Sequence, residues 1–148
     1  MGRRRQGPAC AAESAILFAR PRADSDPPGQ CAAAPKGARI HLLNVQTPAV
    51  GVNVKMFVSA ESLQAYYREE AMKILQPAVE RLHAVGVPAE HHIGVGDIGS
   101  VVVEYAADKG CDEIVMGTHG RGGLIGTVLG SVAQRVVQQA KVPVVLIK

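Results

Sequence analysis

Gly117-Thr118-His119-Gly120, then nine residues, then Gly130-Ser131 make up the stretch of this chain best suited to chemistry. The stretch follows a short apolar run and precedes a helical pattern. At such a junction the free amides and dipole of a helix N-terminus favour an anion. Gly117 and Gly120 would let the backbone pass close to a sugar or base where a Cβ would collide, and Gly130 would do the same for a phosphate. Ser131 offers a hydroxyl and, with Gln134 three residues on, fits a capping box. Arg121 suits a phosphate by charge, whereas His119 reads as a solvated loop residue. Neither a Walker A lysine motif nor a convincing pair of carboxylates accompanies the loop, so holding a ligand is favoured over turning one over.

From Gly37 onward, short apolar runs alternate with longer helical patterns, as in repeated β-α units around a parallel sheet. Arg39 to Val45 reads as a strand and Thr47 to Val58 as a loop. Ser59 caps a helix to about Val85, ended by Gly86 and expected to kink or break at Pro77. Val87 to Val95 reads as a strand, and Asp97 caps a helix through Lys109, ended by Gly110. Asp112 to Met116 is a strand feeding the glycine loop. A helix follows from about Ser131 to Ala140, and Val142 to Ile147 is a last strand, with Pro143 suiting an edge.

Elements of this kind need a core of Val, Ile, Leu and Ala, and the composition provides one. Of 148 residues 47% are hydrophobic but only 3% aromatic, with no Trp, which favours buried strands covered by helices over a β-sandwich. The net charge of +3 is modest and owes part of its excess to Arg3, Arg4 and Arg5. With so few aromatics to stack bases, no nucleic-acid partner is expected. No run is long enough to span a bilayer, so no membrane is expected. Cys10, Cys31 and Cys111 lack metal-ligand or disulfide spacing, which points to a reducing, cytoplasmic compartment. Cys111, ahead of a buried strand, reads as a small apolar residue.

The remaining polar residues read as structural. His91 and His92 are neighbours in a strand, point to opposite faces and cannot chelate one metal together. His41 and His83 show no partner in the sequence. Glu69, Glu70, Lys73, Glu80 and Arg81 read as the solvated face of a helix.

The run Ile114 to Leu124, continued by Leu129-Gly130-Ser131-Val132-Ala133 and Pro143 to Ile147, resembles the C-terminal half of universal stress proteins, and Gly37 to Val45 resembles that family's second strand. The resemblance implies a Rossmann-like three-layer α/β sandwich with a five-stranded parallel sheet of order 3-2-1-4-5. It also implies a homodimer formed through the last strand, Val142 to Ile147, and a protein partner that the sequence does not identify. In the nucleotide-binding branch the loop holds ATP, with Mg²⁺ expected alongside the phosphates. By position, Gly117, Gly120, Gly130, Ser131 and Val132 would line the phosphate and ribose side, with Met116 and Val45 near the adenine.

The opening departs from the family pattern. Members begin with a strand ending in Asp and a long first helix. Here Ala15 to Ala19 is the only first-strand candidate, Asp24 or Asp26 the only nearby carboxylates, and Pro21, Pro27, Pro28 and Gly29 interrupt the expected helix. Residues 1–36 therefore read as an atypical segment from a shifted frame or misassigned start, ahead of a domain over residues 37–148. The expected function is an adenine-nucleotide-binding regulatory module. The alternatives are an interaction protein with a dead nucleotide site and a slow ATPase.

Overall fold

The computed structural model describes residues 39–48, 59–118 and 129–147 in full, and residues 12–19 as backbone. The elements, in chain order, are β1 (Ala12–Ala19), β2 (Arg39–Gln46), α1 (Ala60–Ala84), β3 (Ala89–Val95), α2 (Ile98–Asp108), β4 (Glu113–Gly117), α3 (Ser131–Gln139) and β5 (Val144–Ile147). They form one five-stranded sheet of order β3-β2-β1-β4-β5.

Period-two alternation in β2 assigns each face of the sheet a cover. Ile40 and Leu42 point to one side and pack with Ala71 and Leu75 of α1. Leu43 and Val45 point to the other and join Ile98 and Val102 of α2, Ile114 and Met116 of β4, and Ala133 and Val136 of α3. Burial of these aliphatic chains is the main force holding helices to the sheet.

The short connections that follow α1 and α2 are closed in the same way. At the end of α1, Gly86 donates to the carbonyl of His83 and Val87 to that of Leu82; at the end of α2, Gly110 donates to Ala107 and Cys111 to Ala106. Gly86 and Gly110 have φ of 71° and 62°. These are Schellman motifs, whose left-handed residue is best supplied by glycine. Each seats the next residue, Val87 or Cys111, against the core under its own helix.

Three expectations are corrected. The sheet is not parallel throughout: β2 pairs with β3 and β4 with β5 in parallel, but β1 runs antiparallel to both β2 and β4. A parallel β1–β2 pair would need a crossover of a dozen or more residues, usually helical. The linking residues 20–38 carry Pro21, Pro27, Pro28 and Pro35, poor material for such a helix. Second, α1 does not break at Pro77 and runs on to Ala84. Pro77 is exposed, and the apolar stripe from Tyr67 through Ala71 and Leu75 to Leu82 keeps α1 on the sheet. Third, β3 and β5 start two residues later than expected, just beyond Pro88 and Pro143, which have no N–H to give a ladder. The carbonyl of Pro143 still accepts from Ile114 N at 3.0 Å.

Candidate functional site at the carboxyl end of the fourth strand

Strand β4 is buried through Ile114, Val115 and Met116, and its chain emerges at Gly117. Two backbone hydrogen bonds then set the geometry. Thr118 N donates to the carbonyl of Ile147 at 3.0 Å, and Gly130 N donates to the carbonyl of Thr118 at 2.8 Å. The first extends the β4–β5 ladder by one step. The second pins the two ends of the glycine loop together, so that α3 starts beside the point where β4 ends.

Gly130, with φ −69° and ψ 155°, is the N-cap of α3, and among the described residues no side chain caps the helix. This corrects the capping-box reading of Ser131, which is the first helical residue rather than the cap. Gly130, which precedes it, has no side chain to bond the first-turn amides, so the cap residue leaves the positive end of that turn without an acceptor of its own. Ser131 is exposed and Val132 half-buried at this end.

Val45 is wholly buried near the carboxyl end of β2, and Met116, at 6% exposure, near that of β4; both belong to the core beneath α2 and α3. Gly120 and Arg121 lie outside the described residues, as do His119, Asp24, Asp26, Cys10 and Cys31. The structure thus brings Met116, Gly117, Gly130, Ser131 and Val132 to one end of the sheet.

The start of α3 is also fixed from the side. Arg135 Nη1 donates to Asp97 Oδ1, and Asp97, the N-cap of α2, accepts from Ser100 N at 3.1 Å and Ser100 Oγ at 2.8 Å. The Arg135 guanidinium, then the Ser100 donors, hold the Asp97 carboxyl down at about 2. Cys111 is buried as expected. Burial and then the neighbouring Asp112 push its thiol up to about 11, which keeps it protonated and unreactive at neutral pH.

Away from this end, reading His41 as partnerless is corrected. His41 Nδ1 and His92 Nε2 lie 3.0 Å apart, and Tyr105 Oη is 3.1 Å from His92 Nδ1. Glu90 Oε2 is 3.8 Å from each of the two facing imidazole nitrogens. The readable signal was across strands rather than along one. In the parallel register His41 stands opposite Glu90, and Leu43 opposite His92, so Glu90-x-His92 flanks His41 on one face.

Comparison with known proteins agrees with the fold. The sequence model described as the universal stress protein family matches residues 26–148. Universal stress protein MJ0531 of Methanocaldococcus jannaschii is 34% identical over 109 residues, covering 74% of this chain and 62% of that protein. Universal stress protein YxiE of Bacillus subtilis is 35% identical over 81 residues, covering 55% of each. The chain thus spans about three fifths of the length of the curated Methanocaldococcus relatives it matches. The solved structure of MJ0577 is similar with a TM-score of 0.64 at 31% identity, over 73% of this chain and 74% of that one. A family match over this much of the sequence, with this likeness of structure, shows that the chain belongs to the universal stress protein family.

Proposed function

We propose that this universal stress protein is a regulatory module that holds an adenine nucleotide, ATP with Mg²⁺, at the carboxyl end of β4. One observation carries the reading: the Gly130–Thr118 hydrogen bond sets a helix without a side-chain cap beside the end of a buried strand. The first-turn amides of α3 suit a phosphate, since they offer donors and the positive end of the helix dipole. Gly117, Gly130, Ser131 and Val132 would hold the phosphate and ribose, with Gly120 and Arg121 from the intervening loop. Val45 and Met116 are core residues, so they would support the adenine from beneath. Bound Mg²⁺ would neutralise phosphate charge, a task that needs few protein ligands.

The rest of the reading follows from the fold. Strand β5 is an edge of the sheet, and an unpaired edge is a template for a second chain. A homodimer pairing Val144–Ile147 with its copy would place two nucleotide sites in one particle, and nucleotide occupancy would reach a protein partner through the loop or that surface. No described helix is long and apolar enough to cross a membrane, in keeping with a cytoplasmic role.

Calorimetric titration of the folded protein with MgATP tests the proposal. Saturable binding is expected, and its loss in a Gly120→Val, Gly130→Val variant that still folds. Absence of heat from folded wild-type protein would overturn it in favour of an interaction module with an empty site. Turnover that disappears in Ser131→Ala while binding survives would instead make the protein a slow ATPase.

A further inference from the structure

His41, Glu90 and His92 form a three-donor cluster on the β2–β3 pair, on the face covered by α2. It lies toward the start of the two strands, the end opposite to the glycine loop, and plays no part in the proposed nucleotide site. We propose that His41 Nδ1, His92 Nε2 and the Glu90 carboxylate hold a divalent cation of the zinc class, with a fourth position open to solvent.

Geometry carries the assignment. The three donor atoms make a triangle with sides of 3.0, 3.8 and 3.8 Å, whose circumradius is about 2.1 Å. A cation at its centre would sit at the usual zinc–imidazole and zinc–carboxylate distance, roughly 2.0–2.2 Å, without movement of any donor. All three groups lie within ligand reach of one another. Two imidazoles and one carboxylate suit zinc or a neighbouring transition metal and do not suit magnesium or calcium, which prefer all-oxygen sets.

The surroundings fit the same reading. The side chains of His41 and His92 are 4% and 13% exposed, whereas that of Glu90 is 56% exposed. The site is therefore walled by protein on the imidazole side and open to water at the carboxylate. Tyr105 Oη bonds His92 Nδ1, the nitrogen facing away from the cation position. Such an outer partner fixes the ring and directs the other nitrogen to the metal. Burial is the main cause that lowers the pKa of both histidines, which leaves them neutral with lone pairs to give. Arg39 and Lys109 add positive charge nearby, so the site relies on nitrogen ligation rather than on a strong negative field.

Proton accounting is simple. Without metal, one proton lies between the two facing nitrogens. Metal uptake requires that each ring carry its proton on the far nitrogen, His41 on Nε2 and His92 on Nδ1. One ring changes tautomer, the Tyr105 hydroxyl serves as acceptor for His92 Nδ1–H, and no net proton leaves. A cation held in this way would also join the edge strand β3 to β2.

The test is titration of the tag-free full chain with Zn²⁺ alone, followed by calorimetry and thermal shift, and with Co²⁺ alone, followed by visible absorption. One equivalent is expected to bind, to raise the melting temperature, and to give Co²⁺ the intense bands of a four-coordinate site. Glu90→Gln, at an exposed position, is expected to weaken binding about tenfold or more, and His92→Gln to abolish it. Tyr105→Phe should weaken it about 10- to 100-fold, as outer-partner losses do. His91→Gln, on the opposite face, should leave it unchanged. No uptake by folded protein at about 100 μM Zn²⁺ would overturn the proposal. So would binding that survives both Glu90→Gln and His92→Gln, because the ion would then sit on other histidines.

Discussion

Arg135 reaches from α3 to the carboxylate of Asp97, the residue that caps α2, and passes directly over Gly99 on the way. A Cβ on Gly99 would lie 2.8 Å from Arg135 Cδ and 3.1 Å from its Cβ. Glycine in the first turn of α2 is therefore what allows the two helices to approach and the arginine to cross. Because α3 begins at Ser131, one turn before Arg135, this contact also helps to fix where its first-turn amides point.

The first prediction concerns acid. Asp97 sits at about 2 in the folded protein against an ordinary value of 3.8. As pH falls, the unfolded chain takes up this proton before the folded chain does. The contribution of the Asp97 carboxylate is thus complete well above pH 4 and is lost as pH falls from about 4 through about 2. Asn also caps helices, so Asp97→Asn removes chiefly the charge. Urea midpoints of wild type and variant should differ at pH 7, converge as pH drops to 2, and move closer in high salt, since both partners are half exposed. A gap that does not change with pH would rule out the Asp97–Arg135 pair as its source.

Much of the fold was legible because it depends on local rules. Ser59 and Asp97 have side chains that bond the third residue on, Gly86 and Gly110 have the conformation few other residues accept, and the burial of Ile114 to Met116 follows from an unbroken apolar run. What escaped depends on pairing. Nothing in Ala15 to Ala19 distinguishes an antiparallel from a parallel neighbour, because alternation is the same in both directions. The His41 cluster escaped for a similar reason: its members are 49 or more residues apart except for Glu90 and His92, and only the register of β2 on β3 unites them. Ser131 fits a cap by its spacing to Gln134, yet the cap position falls on Gly130 and Ser131 is the first helical residue, a shift of one position that spacing alone does not reveal.

The direction of β1 can be tested by cross-linking. In the antiparallel register Ala19 stands opposite Arg39 and Ala12 opposite Gln46. In a background with Cys10, Cys31 and Cys111 replaced by Ser, the pair Ala19→Cys, Arg39→Cys should oxidise to a disulfide. Directly opposed strand residues have Cα atoms within about 4.4–6.8 Å, the range a disulfide spans. The pair Ala19→Cys, Gln46→Cys should stay reduced, because Gln46 lies seven residues along the strand from Arg39. The reverse pattern of cross-links would mean that β1 runs parallel to β2.

Pro77 gives the third prediction. It lies in the interior of the 25-residue helix α1, two residues after Leu75, which is buried at 2% exposure. Proline there lacks the N–H that would bond the carbonyl of Lys73, and its ring crowds the preceding turn. Its own surface faces solvent, so nothing in the core depends on the ring. Pro77→Ala should therefore raise the unfolding free energy by about 1–3 kcal/mol, close to the difference between the two residues in a helix interior, at an unchanged dependence on urea. Leu75→Ala should lower it by about 2–5 kcal/mol, as for other buried leucines. The opposite signs two residues apart follow from a continuous helix with Leu75 turned to the sheet and Pro77 turned to water. If Pro77→Ala instead destabilised the protein, the proline would be holding a bend that the packing of α1 requires, and the helix would be two segments.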